Sequence, residues 1–249
     1  MKYLLRVAYI GTAYHGFQAQ NNAQSIQRVL TDAASKLFAA PCDVTGCSRT
    51  DAGVHANEFF VTVKPSVPHS NIKTENIPRA MCSLLPNDIG VLSAAEVEDS
   101  FHPRYSAKGK EYKYLVYTQS ARNPFYFERA WMHYLTVDDA VLEKIRTAAS
   151  AMVGKHDFTS FMSAGSSITD AVREIYYFDV DFYDGVLDFK VAANGFLYNM
   201  VRIMVGTLVS VGEGRIIPSE IDGIIAAKDR SRAGLTAPPE GLYLNKVMY

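Results

Sequence analysis

Reactive side chains are most concentrated in residues 46–56, GCSRTDAGVHA. Asp51 follows Arg49 by two positions, and a nearby guanidinium favours the ionised carboxylate that a nucleophile requires. Gly53 predicts a turn with a positive φ, which would hold the Asp51 carboxylate in one direction and let a ligand approach the backbone closely. The segment is therefore a candidate site for nucleophilic catalysis, and a surface ion pair in a turn is the alternative.

Arg202 is a second candidate, because it interrupts the otherwise apolar helix predicted from about residue 198 to residue 211. Its guanidinium is predicted either to lie at the rim of the core or to be buried against a carboxylate, for which Asp51 is the proposed partner. Gly206 costs helix stability, so it indicates the close approach of a neighbouring segment.

Residues 101–117, FHPRYSAKGKEYKYLVY, combine basic and aromatic side chains. Cations that attract phosphates and flat rings that stack on bases are the combination used to bind single-stranded or loop RNA. An amphipathic edge strand with lysines on its wet side is the alternative. Alternation along the strand predicts that Tyr112 and Tyr114 share one face, while Glu111 and Lys113 share the other.

Other patterns argue against metal, disulfide and phosphate-loop chemistry. The cysteines, Cys42, Cys47 and Cys82, are odd in number and lack the two-residue spacing typical of zinc sites, so we expect reduced thiols. Asp51 and His55 would suit a metal only on a helix, and a glycine lies between them. Cys47 and His55 as nucleophile and base lack a third, orienting group. The Gly-Lys pairs lack the upstream glycine of a phosphate-binding loop.

The composition limits the class of protein. With 25 basic and 26 acidic residues, the net charge of −1 gives no global case for a nucleic-acid partner, which a local patch must bind instead. Arg6 interrupts the apolar start of the chain, which predicts a first strand rather than a signal peptide. The longest apolar segment, residues 197–211, is shorter than the roughly 20 residues that a bilayer requires. We therefore expect a cytoplasmic protein without a membrane span.

The order of elements predicts the α+β class, with antiparallel hairpins and helices stacked against them in two similar halves. We place these halves at 1–118 and 119–249, linked by residues 119–130. Asp184-Gly185 marks the clearest hairpin turn, and Thr136 is the predicted start of a helix that ends before Gly154. The other predicted strands cover residues 3–10, 58–64, 111–118, 131–134 and 242–248, and the other helices cover 24–40, 76–84, 198–211 and a short segment that opens at Pro218.

Taken together, these residues are similar to those of the tRNA pseudouridine synthase A family. The resemblance covers nearly the whole chain, and the octet RTDAGVHA is highly specific. The matching blocks are YIGTAYHGFQAQ, SIQRVL, SRTDAGVHA, FHPRYSAKGKEYKY, HDFTSF, NGFLYNMVRIMVGTL, AAKDR and TAPPEGLYL.

The resemblance implies two similar α+β halves with antiparallel and mixed sheets, joined across a central catalytic cleft with helices on the outer face. It implies a homodimer that uses no metal or cofactor and isomerises uridine to pseudouridine at positions 38, 39 and 40 in the anticodon stem-loop of tRNA. A non-catalytic tRNA-binding or chaperone module of the same fold is one alternative. A retaining sugar hydrolase, with Glu58 as the nearest second carboxylate in the chain, is another.

The resemblance also assigns roles by position. Asp51 corresponds to the catalytic aspartate, and Arg49 to an arginine that handles the flipped-out nucleotide. Tyr112 corresponds to the tyrosine that stacks on the target base, and Arg202 to the arginine that pairs with the catalytic carboxylate. The RNA-contacting segment corresponds to Phe101, His102, Pro103, Arg104 and Tyr105.

The chain departs from the family pattern at two positions. Ala19 stands where many relatives have arginine, and the residue before Asp170 is not the arginine often found there. The resemblance implies that both changes affect the grip on tRNA more than the chemistry.

Overall fold

The computed structural model describes residues 1–20, 23–67, 72–165 and 170–249, which form two compact units. Unit 1 consists of Met1–Lys108 and Tyr243–Tyr249, and unit 2 consists of Gly109–Leu242. The division of the chain into halves at 1–118 and 119–249 remains a prediction.

Each unit combines strands with helices. In chain order the strands are β1 (Lys2–Tyr9), β2 (Cys42–Gly46), β3 (His55–Pro65), β4 (Ile89–Val97), β5 (Gly109–Tyr117), β6 (Trp131–Met132), β7 (Gly154–Asp157), β8 (Val172–Tyr183), β9 (Val186–Ala193) and β10 (Leu242–Met248). The helices are α1 (Ile26–Phe38), α2 (Ile77–Cys82), α3 (Asp139–Ser150), α4 (Met200–Gly212) and α5 (Ile221–Ala227). The predicted α+β class is confirmed.

Unit 1 has a mixed sheet. Strand β1 lies between β4 and β3 and is antiparallel to both, β2 is antiparallel to β3, and β10 runs parallel to β3 where Tyr243 pairs with His55. The predicted first helix is confirmed as α1. Ser25 caps its start, because the Ser25 side chain accepts a hydrogen bond from the Arg28 amide. Its apolar face is buried, and the Phe38 ring stacks on Tyr3 of β1 at 5.4 Å between centroids.

Unit 2 has a sheet in the order β5-β9-β8-β7, antiparallel throughout, with β6 parallel to β5. The predicted hairpin is confirmed, because Asp184 and Gly185 connect β8 to β9 with φ of 50° and 75°. Helix α3 begins later than predicted from Thr136. The Asp138 side chain, rather than that of Thr136, accepts a hydrogen bond from the Val141 amide, and Asp138 is therefore the cap.

Three strands were not predicted from the sequence. Strands β2 and β7 are short, and β4 contains alanine, serine and glutamate, which have weak strand preference. Strand β4 forms because it pairs with β1 along the whole length of β1. The position before Asp170, where the family pattern has arginine, belongs to residues 166–169 and lies outside the described residues. In the described ranges, every helix is too short or too polar to cross a bilayer.

Candidate active site

Asp51 lies in a tight turn of unit 1 that leads into β3. The amide of Val54 donates to the Asp51 carbonyl at 3.2 Å, and the amide of Gly53 donates to the Tyr14 carbonyl at 3.3 Å. Gly53 has φ of 79°, as the sequence predicts. Asp51 is partly exposed. Its side chain is therefore accessible on a turn whose backbone is fixed by hydrogen bonds.

A second set of hydrogen bonds fixes the residue before Asp51. The Phe17 amide donates to the Thr50 carbonyl at 3.0 Å, and the hydroxyls of Tyr9 and Thr50 share a buried hydrogen bond of 2.8 Å. Gly16 has φ of 84°, and a Cβ at that position would lie 2.5 Å from the Thr50 carbonyl oxygen and 3.2 Å from the Asp51 carbonyl carbon. Gly16 therefore permits a backbone contact that a side chain would prevent.

His55 is a structural residue of this turn. It is fully buried, its Nδ1 accepts a hydrogen bond from the Gly11 amide at 2.9 Å, and its ring packs on Tyr243 at 4.7 Å. A Cβ on Gly11 would lie 1.9 Å from the Val54 carbonyl oxygen, so this contact also depends on a glycine. Sequence reasoning did not assign a role to residues 9–17, although Gly11 and Gly16 within the YIGTAYHGF block were a usable signal for close backbone contact.

The other chemistries considered for this segment find no support in the described part of the chain. Cys47 is buried and its Sγ accepts a hydrogen bond from the Phe60 amide at 3.3 Å, as a structural cysteine does. The Glu58 carboxylate accepts a hydrogen bond from the Val247 amide at 3.1 Å and forms an ion pair with Arg6 at 3.6 Å. Among the residues described, no group of His, Cys, Asp and Glu side chains has the arrangement of a metal site.

Arg49 lines a surface groove of about 230 Å³ in unit 1 together with the turn that follows Phe101. Arg49 is exposed to solvent. The same groove is also lined by His102, Arg104 and Tyr105. The structure thus brings the arginine of the candidate catalytic segment together with part of the predicted RNA-contacting segment. Two cations and an aromatic ring at one groove form a local patch suited to a polyanion.

His102 shapes this part of the groove. Its Nδ1 accepts hydrogen bonds from the amides of Arg104 at 3.1 Å and Tyr105 at 3.4 Å, and its ring lies 4.3 Å from that of Tyr105. The Arg104 guanidinium lies 5.9 Å from the centre of the Tyr105 ring. Tyr105 is 77% exposed, which leaves most of its ring accessible for stacking.

Phe101 and Pro103 serve a different purpose from their neighbours in the same segment. The Phe101 ring packs on Tyr249 at 5.5 Å, and the Tyr249 hydroxyl donates to the Pro103 carbonyl at 2.9 Å. Burial raises the pKa of the Tyr249 hydroxyl above its ordinary value. Phe101 and Pro103 therefore anchor the segment whose following residues line the groove.

Arg202 lies in the first turn of α4 in unit 2, half-buried. Its Nε donates to the Ala237 carbonyl at 2.7 Å, and its Nη1 donates to the Asn199 side chain at 2.8 Å. Asn199 precedes the helix with φ of 58°, and its side chain binds Arg202 and Ser163 rather than an amide of the first turn. The close approach predicted at Gly206 is confirmed, because a Cβ there would lie 2.0 Å from the Leu235 carbonyl oxygen.

Tyr112 lies on β5, with its ring edge-on to Phe196 at 5.0 Å and 8% of the residue exposed. The hydroxyl of Tyr114 donates to the Pro238 carbonyl at 2.7 Å, and burial raises the pKa of Tyr114 well above its ordinary value. The nearby charge of Arg202 acts in the opposite direction on this pKa.

The opposite face of β5 carries Glu111 and Lys113, as the alternation predicts. Glu111 accepts a hydrogen bond from the Tyr177 hydroxyl, and Lys113 forms an ion pair of 3.0 Å with Asp188. The predicted separation of the Tyr112 face from the Lys113 face is confirmed.

The candidate residues are therefore distributed over both units. Asp51, Arg49 and residues 101–105 belong to unit 1, whereas Tyr112 and Arg202 belong to unit 2. The pairing of Arg202 with the Asp51 carboxylate remains a prediction.

Comparison with known proteins agrees with the sequence blocks. A family model described as tRNA pseudouridine synthase matches residues 6–106 and 148–249. Proteins named tRNA pseudouridine synthase A from Thermoanaerobacter sp. (strain X514) and Ruminiclostridium cellulolyticum are each 43% identical, over 99% and 100% of this chain and 98% and 99% of their own lengths. One from Bacillus pumilus is 41% identical over 100% of this chain and 99% of its own.

Among solved structures, a chain of a Cbf5-Nop10-Gar1 complex aligns with a TM-score of 0.37 and 11% identity, over 97% of this chain and 57% of that chain. The matches in sequence extend over nearly the full length at about 40% identity. They show that the protein belongs to the tRNA pseudouridine synthase family.

Proposed function

We propose that this pseudouridine synthase isomerises uridine at positions 38, 39 and 40 in the anticodon stem-loop of tRNA, with Asp51 as the catalytic residue. Residues 1–118 would carry the catalytic loop and residues 119–249 the supporting arginine helix. The observation that supports the proposal most is the Asp51 turn, which is held by backbone contacts beside the groove lined by Arg49. A non-catalytic tRNA-binding module is not favoured by the family match.

The reaction requires no redox partner, because product and substrate are isomers. The glycosidic bond between C1′ and N1 breaks, the uracil turns within the site, and C5 forms a bond to C1′ while its proton is lost and N1 gains one. A carboxylate can attack C1′ or remove the C2′ proton, and in both cases its charge stabilises the electron-poor sugar, as in glycosidases. The fixed turn presents Asp51 in one direction for either step.

The groove in unit 1 would bind the RNA chain next to the target. Arg49 and Arg104 supply positive charge for phosphates, and the exposed ring of Tyr105 supplies a stacking surface for an unpaired base. With a net charge of −1, the protein depends on such a local patch to attract tRNA.

Tyr112 and Arg202 would complete the site. A base that has been flipped out of its stack needs an aromatic face against which it can turn without escaping, and we assign this role to Tyr112. Phe196 holds the Tyr112 ring edge-on. We assign to Arg202 the role of charge partner of the Asp51 carboxylate, because a nearby guanidinium would keep this carboxylate ionised.

Tritium release from unmodified tRNA carrying C5-tritiated uridine, followed by mapping of the modified positions, tests the proposal. The wild-type protein should release tritium at positions 38–40, and Asp51→Asn should release none while it retains tRNA affinity. Asp43→Asn, an exposed acid on β2 of the same unit, is the matched control and should keep the wild-type rate. Turnover by Asp51→Asn would disprove the assignment, and tRNA binding without tritium release by the wild type would indicate a non-catalytic module.

Deuterium at C2′ of the target nucleotide distinguishes the two roles of Asp51. Removal of the C2′ proton predicts a primary isotope effect on single-turnover rates, whereas attack on C1′ predicts none.

We also propose that the protein is a cytoplasmic homodimer. Light scattering of the purified chain should then give twice the chain mass of 27.6 kDa, and a value equal to one chain would contradict the dimer. Fractionation of the cells that produce the protein should place it with the cytoplasm, and recovery with membranes would contradict that location.

A further inference from the structure

Residues 233–237 of unit 2, which we call the strap, lie directly on the backbone of α4. A Cβ on Gly234 would be 2.7 Å from the Thr207 Cα, and a Cβ on Gly206 would be 2.0 Å from the Leu235 carbonyl oxygen. The Gly234 amide donates to Thr207 Oγ1 at 2.9 Å. The strap and the helix therefore come into close backbone contact at two glycines, and the Thr207 hydroxyl accepts a hydrogen bond across the contact.

The end of the strap holds Arg202. The Ala237 amide donates to the Arg202 carbonyl at 3.1 Å, and Arg202 Nε donates to the Ala237 carbonyl at 2.7 Å. Ala237 is fully buried. The direction of the Arg202 guanidinium thus depends on two acceptors, the Ala237 carbonyl that the strap places and the Asn199 side chain that precedes α4.

Arg230 fastens the strap. Its Nη1 donates to the carbonyls of Gly234 at 2.9 Å and Ala233 at 3.4 Å, and its Nη2 donates to Thr236 Oγ1 at 3.0 Å. A planar guanidinium can reach carbonyl and hydroxyl acceptors on two sides of a bend in a way that a lysine cannot. Arg230 therefore fixes the bend of the strap ahead of Ala237.

The turn that carries Arg230 is itself anchored to the HDFTSF block. The Asp229 amide donates to Ser160 Oγ at 2.9 Å, and Ser160 Oγ donates to the Ile224 carbonyl at 2.6 Å. Lys228 forms an ion pair of 2.7 Å with Asp157. Two sequence blocks without an assigned role, HDFTSF and AAKDR, thereby hold the base of the strap.

We propose that Arg230 is a positioning residue, which acts through the strap to aim the guanidinium of Arg202. This inference rests on the proposed role of Arg202 as charge partner of the catalytic carboxylate. Because a displacement of about 1 Å in a catalytic group can cost about 100-fold in rate, a relaxed strap should slow the chemical step. It should leave the RNA groove of unit 1 intact.

Single-turnover tritium release with enzyme in excess over C5-tritiated tRNA tests this proposal. Arg230→Gln should slow the reaction at least about tenfold, with the tRNA Kd within about twofold and a melting temperature that is lowered but stays above the assay temperature. Arg230→Lys should recover part of the rate. Arg232→Gln, an exposed arginine in the same turn, is the matched control and should keep the wild-type rate at saturating enzyme.

A double variant tests whether Arg230 acts through Arg202. If it does, Arg202→Gln with Arg230→Gln should be no slower than Arg202→Gln alone, since the aim of an absent guanidinium has no effect. Losses that multiply, a wild-type rate in Arg230→Gln, or a loss explained by Kd alone would overturn the proposal.

A wild-type rate in Arg202→Gln would disprove the role proposed for Arg202, and the role of Arg230 with it. If Arg202→Gln is slow while Arg230→Gln reacts at the wild-type rate, only the role proposed for Arg230 is disproved. Should Arg230→Gln fail to fold, Thr236→Val removes one acceptor of the same guanidinium. It should slow the reaction in the same direction by a smaller factor, and an unchanged rate would overturn the proposal.

Discussion

The hydroxyl oxygens of Tyr9 and Thr50 lie 2.8 Å apart in a buried hydrogen bond that joins the end of β1 to the residue before Asp51. Both residues are almost fully buried, Tyr9 at 4% and Thr50 at 6% exposure. The bond ties the turn to the end of β1 at a point where burial keeps water away from both hydroxyls. It is therefore a structural support of the proposed catalytic residue.

Tyr9→Phe removes this support. We expect a loss of about 1 kcal/mol in the free energy of unfolding, because Thr50 keeps a buried hydroxyl without its partner from Tyr9. The single-turnover rate should fall while tRNA affinity is retained. Tyr3→Phe, which removes a β1 hydroxyl that donates to the Met1 sulfur at 3.1 Å, is the matched control and should leave the rate unchanged. Equal rates for Tyr9→Phe and wild type would show that the bond does not support catalysis.

Gly16→Ala should distort the Asp51 turn. Its φ of 84° is unfavourable for alanine, and the added Cβ would lie 2.5 Å from the Thr50 carbonyl oxygen. We expect a loss of about 1–3 kcal/mol in the free energy of unfolding, together with a slower reaction. Gly90→Ala, where a Cβ meets no described atom within 4 Å, is the matched control and should be close to neutral. Urea unfolding and tritium release measure both effects.

Tyr105→Ala should weaken tRNA binding without loss of stability, because the ring is 77% exposed. Stacking on one base contributes about 1–3 kcal/mol, so the tRNA Kd should rise accordingly. Tyr105→Phe keeps the ring and should bind as the wild type does. Filter binding at fixed salt measures both variants, and an unchanged Kd in the alanine variant would remove Tyr105 from the interface.

Ala19→Arg should strengthen tRNA binding. The Ala19 amide donates to the Gln27 side chain at 2.9 Å, and both Gln27 and Gln18 line the groove that contains Arg49. A cation at this rim should make the dependence of log Kd on log salt steeper by about one unit. Ala19→Gln, which has a long side chain without charge, should leave the slope unchanged. An unaltered slope in the arginine variant would place position 19 away from phosphates.

Asp157 should make stability depend on acid. The hydrogen bond from Lys228, followed by that from Thr159, lowers the pKa of Asp157 below its ordinary value. A carboxyl whose pKa is lower in the folded state contributes its full stability above about pH 4, and the contribution disappears as the pH falls through the folded pKa. Asp157→Asn should therefore lower the free energy of unfolding at pH 7, and the difference from wild type should vanish in stronger acid. A difference that persists unchanged in acid would contradict this.

Elements with local signals were predictable. The alternating strands on either side of Asp184-Gly185 and the amphipathic pattern of α1 depend on residues close together in the chain. Strand β4 was missed because its own residues have weak strand preference, and only pairing with β1 stabilises it. Thr136 has the right residue type for a helix cap, but Asp138 lies at the position where the helix begins.

The sequence by itself determined the family, the residue types at the proposed site, and the positive φ of Gly53, because these depend on identity and short spacing. Only the tertiary structure decided what holds those residues. Tyr9 reaches Thr50 across 41 positions, and Arg202 reaches Ala237 across 35. It also decided that Arg104 and Tyr105 line the groove, whereas Phe101 packs on Tyr249. Such contacts depend on how distant segments pack, for which local patterns carry no signal.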